Sequence, residues 1–348
     1  MKWVEPQFSK KRVKRAGETL VDPLSSDIDK NAAMDVLSNW RSAHAYPMHA
    51  MLIFLRTRSS KVDKNPIVVQ RLKRTPSIIG KLRRFDKMKL HRMQDIGGCR
   101  SVVKSTLLAE RLSQEIQNSR TRHKLHKVDD YIAAPKESGY RGIHLIYKYN
   151  GEKIKYKDYF IEIQIRSKIQ HAWATAVEIV DTFTDQALKA SQGHKDWLDF
   201  FKNVSAEFAR LENRSIGAHI DGDITYKELK RLENNLNAVN RLHAFAITTQ
   251  HIAKQPKNKS DYFLLQLSGD PQEITVTQYP TSQLQAATND YLKLEKRAQK
   301  ESLFDVVLVS ASSMHSLKAA YPNYFADSRE FLKYLTEVTA NNAINSDS

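Results

Sequence analysis

The sequence predicts an α+β protein in two parts, and three observations predict it. Segments of strict period-two alternation, such as Ile161-Glu162-Ile163-Gln164-Ile165-Arg166, stand among long stretches with apolar residues spaced at three and four, such as 168–183 and 195–213. A long polar helix near 225–248 runs into Lys254-Gln255-Pro256-Lys257-Asn258-Lys259-Ser260, a linker composition. A new set of strand and helix patterns then begins at Tyr262. The expected division is an N-terminal basic arm with helices over 1–60, a mixed-sheet part over 61–213, a linking helix and linker over 214–260, and a small α/β part over 261–348.

Along the first part, Lys10, Lys11, Arg12, Lys14 and Arg15 form a basic run. It reads as a flexible arm or the lead-in to a strand, with an RNA-backbone role as the alternative. Residues 26–58 read as helical, with Asp27 or Asp29 as the cap, apolar stripes through Ala33, Val36, Leu37, Trp40, Met48, Met51 and Leu52, and a break at Pro47. A short strand is expected around Val68 to Leu72, then a helix opening at Thr75-Pro76-Ser77, where Pro suits the first turn and Ser or Thr suits the cap. Ser77, Lys81 and Arg84 share one face of that helix. They form either an ordinary solvated basic face or a phosphate clamp of helix-start N–H groups, a hydroxyl and cations. Gly97 and Gly98 permit a tight backbone ahead of the Val102-Val103 strand. An amphipathic helix follows over Leu107 to Ile116. The cation-dense run Arg120, Arg122, His123, Lys124, His126, Lys127 reads as an exposed loop or as a contact for an RNA backbone.

The helix over 168–183 buries Ile169, Ala172, Trp173, Ala176, Val177 and Ile179, and the next buries Trp197, Phe200, Phe201, Val204 and Phe208. Beyond the linker, Tyr262 to Leu267 and Ile274 to Tyr279 read as a hairpin, 282–298 as a helix and Phe304 to Val309 as an apolar strand. Two short helices should follow, ending at Phe331, Leu332, Leu335 and Val338.

Composition bounds the function. The formal net charge is +16. That excess points to a polyanionic partner, either nucleotide phosphates or RNA, against the plainer alternative of a merely basic surface. The single cysteine, Cys99, rules out an internal disulfide framework and suits a reducing cytoplasm. No Cys/His cluster has zinc spacing. No run approaches the length of a membrane span and no signal-peptide pattern opens the chain, so a cytoplasmic protein without membrane contact is expected. Oligomeric state is left at monomer or low-order oligomer.

Four blocks carry the chemistry. They are Arg71-Leu72-Lys73 with Ser77, Lys81 and Arg84; Asp95-Ile96-Gly97-Gly98-Cys99-Arg100; Pro135-Lys136 leading to Tyr140-Arg141-Gly142-Ile143-His144; and Glu162-Ile163-Gln164-Ile165-Arg166. Taken in order over roughly 60–180, they resemble the RelA/SpoT-type nucleotidyl pyrophosphokinase domain. The resemblance implies a nucleotidyltransferase-type mixed sheet flanked by helices, and transfer of the β,γ-diphosphate of ATP to a ribose hydroxyl. A triphosphate needs cations and a metal held by carboxylate. Asp95 and Glu162 are the expected Mg2+ ligands, Glu162 is also the expected acceptor of the hydroxyl proton, and Gln164 supports it. Lys73, Ser77, Lys81 and Arg84 are expected to meet the phosphates. The resemblance further implies that Arg71 and Arg100 sandwich the adenine. Tyr140 offers a face for a base of the acceptor, with His144 beside it.

Family synthetases commonly carry an acid soon after Trp-Ala. Here Ala174-Thr175-Ala176-Val177 fills that stretch and Glu178 arrives one residue late. Near the C-terminus, Tyr321-Pro322-Asn323-Tyr324 sets two tyrosines about a Pro-Asn turn. Alone it reads as a buried turn. It also resembles the neutralising element of CapRel-like fused toxin–antitoxin proteins, in which a RelA/SpoT-like toxin is joined to a pseudo-zinc-finger antitoxin domain. That resemblance implies transfer to the 3′-hydroxyl of the tRNA CCA end, which blocks translation. It also implies autoinhibition through Tyr321 and Tyr324, and release by a phage protein such as a major capsid protein. The alternative acceptor is GDP or GTP, giving (p)ppGpp.

Overall fold

The computed structural model describes residues 3–184, 195–215, 222–236, 238–239, 242, 262–268, 273–298, 305–310 and 329–345. Among them, β1 (Ile67–Leu72), β2 (Gly97–Val103), β3 (Lys124–Asp130), β4 (Ile143–Lys148), β5 (Phe160–Ser167), β6 (Tyr262–Ser268), β7 (Glu273–Tyr279) and β8 (Asp305–Ser310) form one sheet in the order β3-β4-β5-β2-β1-β8-β6-β7. The sheet is mixed: β2 and β5 run parallel, and the other described pairs are antiparallel. The helices are α1 (Lys10–Thr19), α2 (Asp27–Ala43), α3 (Ala45–Val62), α4 (Thr75–Arg84), α5 (Thr106–Gln117), α6 (Lys168–Thr184), α7 (Lys195–Leu211), α8 (Gly222–Leu236), α9 (Leu284–Ala298) and α10 (Arg329–Asn345).

One face of the sheet is apolar because β5 alternates. Ile161, Ile163 and Ile165 are fully buried and pack with Met48, Met51, Leu52 and Leu55 of α3 and Ala109, Leu112 and Ile116 of α5. Each such side chain contributes about 1.5–3 kcal/mol of burial. The opposite face therefore carries the polar half of β5. A second core joins α6, α7 and α8 to Phe331, Leu332, Leu335 and Val338 of α10. The C-terminal hairpin continues the first sheet. Gln70 and Arg71 of β1 pair with Ser310 and Val309 of β8.

Several local expectations need correction. The N-terminal basic run is neither an arm nor a strand lead-in. It is helix α1, whose Ser9 cap accepts from the Arg12 N–H and whose Val13, Ala16, Gly17 and Leu20 are buried. Small and apolar residues at helical spacing decide this, since cations on the other face remain solvated. The cap of α2 is Ser26, which accepts from the Asp29 N–H at 3.1 Å. The break falls at His44, while Pro47 sits in the first turn of α3, where its missing donor is not needed. α4 begins at Thr75 with Arg74 as N-cap and no side-chain cap. The run after Arg120 is largely strand: β3 pairs with β4 and is exposed along its length. The expected 225–248 helix is α8 as far as Leu236, and most of 237–248 lies outside the described residues, as do Tyr321 and Tyr324.

Candidate active site

Register brings the polar side chains together. In the parallel β2–β5 pair, Gly98 lies opposite Glu162 and Arg100 opposite Gln164. In the antiparallel β4–β5 pair, His144 lies opposite Gln164. In the antiparallel β1–β2 pair, Arg71 lies opposite Gly98. Directly paired residues point to the same side of a sheet. Arg71, Arg100, His144, Glu162, Gln164 and Arg166 therefore share the face that the isoleucines leave.

Their hydrogen bonds form one network. Gln164 Nε2 donates to Glu162 Oε2 at 2.7 Å, and Arg100 Nε donates to Gln164 Oε1 at 3.3 Å. His144 Nδ1 meets Glu162 Oε1 at 2.9 Å, and its Nε2 meets the Tyr140 hydroxyl at 2.6 Å. Arg166 donates to the same hydroxyl from Nε at 3.2 Å and Nη2 at 3.0 Å. Burial by itself raises the Glu162 pKa, but the His144 imidazole, the Gln164 amide and Lys73 outweigh it and hold the carboxyl well below its usual range. Burial lowers His144, and Tyr140 and Glu162 outweigh it in the other direction, so the imidazole titrates above its usual range. Burial raises Tyr140, yet Arg166 and His144 bring its hydroxyl down.

A second cluster gathers at the mouth of β1 and β2. The Lys73 N–H donates to the Ile96 carbonyl at 2.7 Å, which brings the end of β1 beside Asp95. Lys73 Nζ and Lys81 Nζ then reach Asp95 Oδ2 at 3.1 and 3.0 Å. Asp95 lies three residues before Gly98, the partner of Glu162, and Lys73 acts on both carboxylates. Gly98 leaves the sheet bare between Arg71 and Glu162. A Cβ there would meet only the Arg71 and Glu162 carbonyls, at 3.7 and 3.8 Å.

The loop carrying Tyr140 is held from below. Gly139 and Gly142 have φ of 87° and 149°, and a Cβ on Gly142 would lie 3.3 Å from the Tyr140 hydroxyl. The Ser205 hydroxyl of α7 donates to the Gly139 carbonyl. Lys136 Nζ lies 4.3 Å from the Tyr131 ring centroid and 5.1 Å from that of Tyr140.

Of the expected residues, Lys73, Lys81 and Asp95 meet in one cluster, and Arg100, Tyr140, His144, Glu162 and Gln164 in the other. Arg71 stands on the same face. Ser77 is half-buried on α4 and Arg84 is exposed near its end; neither is joined to Asp95. Sequence reasoning assigned no role to Arg166, although its period-two place beside Gln164 was the available signal. It also gave no role to Lys136, although Pro135-Lys136 opens the third block, and it missed Tyr131 and Ser205, for which no local signal exists. His171 of α6 was missed as well. It is buried, neither ring nitrogen has a hydrogen-bond partner, and burial together with Arg100 and Arg166 keeps it neutral.

Among the described residues no three His, Cys, Asp or Glu gather for a metal. Mg2+ is commonly held by one or two carboxylates with the remaining positions filled by phosphate and water. Asp95 and Glu162 fit that use. Asp95 Oδ1 is buried without a hydrogen-bond partner, and each Glu162 oxygen accepts one described bond and retains a lone pair.

Residues 70–180 match the family model described as "Region found in RelA / SpoT proteins". GTP pyrophosphokinase YjbM of Bacillus subtilis is 36% identical over 128 residues, 32% of this chain and 56% of that protein. An uncharacterized protein of Mycobacterium tuberculosis is 27% identical over 179 residues, 50% of this chain and 59% of its own length. The chain thus spans just over half the length of these relatives. Among solved structures, small alarmone synthetase 1 of B. subtilis bound to its product pppGpp is 29% identical, covering 42% of this chain and 73% of that one, with a TM-score of 0.36. A GTP pyrophosphokinase family protein of Streptococcus pneumoniae is 26% identical, covering 48% and 84%, with a TM-score of 0.39. The polar face over β1, β2, β4 and β5 thus lies in a RelA/SpoT-like region. The resemblance in its four sequence blocks and the family match agree on this part of the chain.

Proposed function

We propose that this chain is an ATP-dependent pyrophosphokinase. The acceptor hydroxyl oxygen attacks the β-phosphorus of ATP, the bond from that phosphorus to the α,β-bridging oxygen breaks, AMP leaves, and the acceptor carries the diphosphate. The observation that supports the reading best is the placing of two carboxylates at adjoining parallel strands, Asp95 just before β2 and held by Lys73 and Lys81, and Glu162 on β5, beside Arg71 and Arg100. Asp95 and Glu162 would hold Mg2+, which would supply neutralising charge for the phosphates. Lys73 and Lys81 move from Asp95 toward the triphosphate, and Ser77 and Arg84 extend the same side. Arg71 and Arg100, diagonal on one face, take the adenine between them. Glu162 is ionised and accepts the hydrogen bond of the incoming hydroxyl, with Gln164 and His144 fixing its orientation. Tyr140, steadied by Arg166 and Lys136, borders the acceptor side.

We take the 3′-hydroxyl of the tRNA CCA end as the acceptor. The net charge of +16 favours a large polyanion. A second reading, transfer to GDP or GTP, is favoured by the similarity to GTP pyrophosphokinase YjbM. The C-terminal part then restrains the enzyme through Tyr321 and Tyr324, and a phage protein such as a capsid subunit releases it. In support, the described elements on either side of those tyrosines both pack on the rest of the chain, β8 on β1 and α10 on α6 and α7. The deciding experiment incubates the full chain and its double variant Tyr321→Ala, Tyr324→Ala, which this reading releases from restraint, with γ-labelled ATP and either deacylated tRNA or GDP. Label on tRNA is expected. Label on the guanosine nucleotide selects the second reading, and label on neither refutes both.

A further inference from the structure

A buried charge cluster joins the C-terminal part to the turn between β1 and α4. Glu295 of α9 is 6% exposed, Arg41 of α2 2% and Thr75 of α4 3%. The Glu295 Oε1 accepts from the Thr75 hydroxyl at 2.6 Å and lies 3.2 Å from Arg41 Nη1. Arg41 Nη1 also donates to Oε2 at 3.3 Å. Arg41 Nε donates to the Lys73 carbonyl at 2.6 Å, and its guanidinium lies 4.8 Å from the ring centroid of Tyr291, one turn before Glu295. Nothing in the sequence pairs these residues, which stand 254 and 220 positions apart.

The location gives the cluster its meaning. A carboxylate is rarely withdrawn from water without paired cations and donors, and here both are supplied. The helix that receives it has no side-chain cap of its own at Arg74, and its first turn carries Ser77. The positive end of a helix attracts anions. A carboxylate seated there opposes a phosphate approaching the same turn. The same cluster grips the backbone of Lys73, whose ammonium group is held on Asp95.

We propose that Glu295 is a latch. While α9 is docked, its carboxylate holds the Thr75 hydroxyl at the start of α4 and, through Arg41, fixes the Lys73–Thr75 turn, so the donor-phosphate clamp is shut. Undocking of α9 withdraws the carboxylate and opens the clamp to ATP. The latch rests on the reading of this face as a nucleotide site, and it acts through residues separate from Tyr321 and Tyr324.

The test uses the full chain, Glu295→Gln, a non-hydrolysable ATP analogue with Mg2+, and amide hydrogen exchange. The variant should bind the analogue about tenfold more tightly, in the range expected for coupling between two sites. It should also exchange faster in α9 and in the first turn of α4. Faster exchange in α9 with unchanged or weaker analogue binding overturns the proposal, because the contact is then only a fastening. Unchanged exchange in both segments overturns it as well. If neither wild type nor variant binds the analogue, the nucleotide reading fails on its own, and unchanged exchange at the α4 turn still decides against the latch. Should Glu295→Gln fail to fold because Arg41 is left buried without its counter-charge, Arg41→Met with Glu295→Met removes both charges and carries the same readouts.

Discussion

Glu162 keeps its charge inside a ring of donors, and it is the residue on which the proposed chemistry turns. Both of its oxygens are engaged, by His144 and Gln164, so its position is set before any substrate arrives. Glu162→Gln keeps the shape and removes the charge. Pyrophosphate transfer should fall by about a hundredfold or more, within the range for loss of a positioned base or metal ligand, while the circular dichroism spectrum is retained. Transfer at the wild-type rate would rule Glu162 out. A different residue contributes to the response to acid, in the same direction as His171. His44 is buried between α2 and α3, its Nδ1 lies 2.8 Å from the Trp40 carbonyl, and burial pushes its pKa down to about 4. The folded protein thus binds this proton less readily than the unfolded chain. Stability is full above the ordinary value near pH 6.5, declines as the pH falls from there toward 4, and changes no further below that on account of this group. The contribution is roughly 3 kcal/mol. His44→Gln should flatten this part of the stability curve measured by urea unfolding between pH 7 and pH 4.

At the scale of elements, two neighbouring glycines in β2 do different work. A Cβ on Gly97 would lie 2.8 Å from Ile161 Cδ1, inside the core. Gly97→Ala should destabilise the protein by about 1–3 kcal/mol through overpacking, read as a lowered urea midpoint. A Cβ on Gly98 meets nothing closer than 3.7 Å and projects onto the polar face. Gly98→Ala should leave the midpoint nearly unchanged and raise the KM for ATP several-fold. Equal effects of the two on stability would contradict the assignment of faces. Much of this was legible beforehand, because the period-two pattern of Ile161 to Arg166 already separated core from site. The basic residues of α1 and β3 hid their secondary structure, since charge is a property of the solvated side and carries little information about backbone conformation.

The whole molecule adds the C-terminal part to one sheet edge and one helical core. β8 extends the sheet from β1, and α10 places Phe331 against Phe201 and Phe208, with ring centroids 6.0 and 5.5 Å apart. If restraint by this part is correct, Tyr321→Ala or Tyr324→Ala should make expression of the full chain toxic without any infection. Normal growth of cells carrying either change in a folded protein would remove that restraint from the account. Phe331→Ala should loosen the same part by truncating a buried aromatic, at about 3–5 kcal/mol. It is read as faster amide exchange through α10.

The sequence alone determined which short segments supply the polar clusters, since Asp95, Arg100, Tyr140, His144 and Glu162 lie in compact blocks whose periodicity and spacing are local properties. Only the tertiary structure decided that Arg166 and Lys136 brace Tyr140, that Ser205 supports its loop from α7, and that Glu295 reaches Arg41 and Thr75. The reason is physical. Apart from Lys136, four residues from Tyr140, these contacts join residues remote along the chain, and they depend on how the sheet and helices pack.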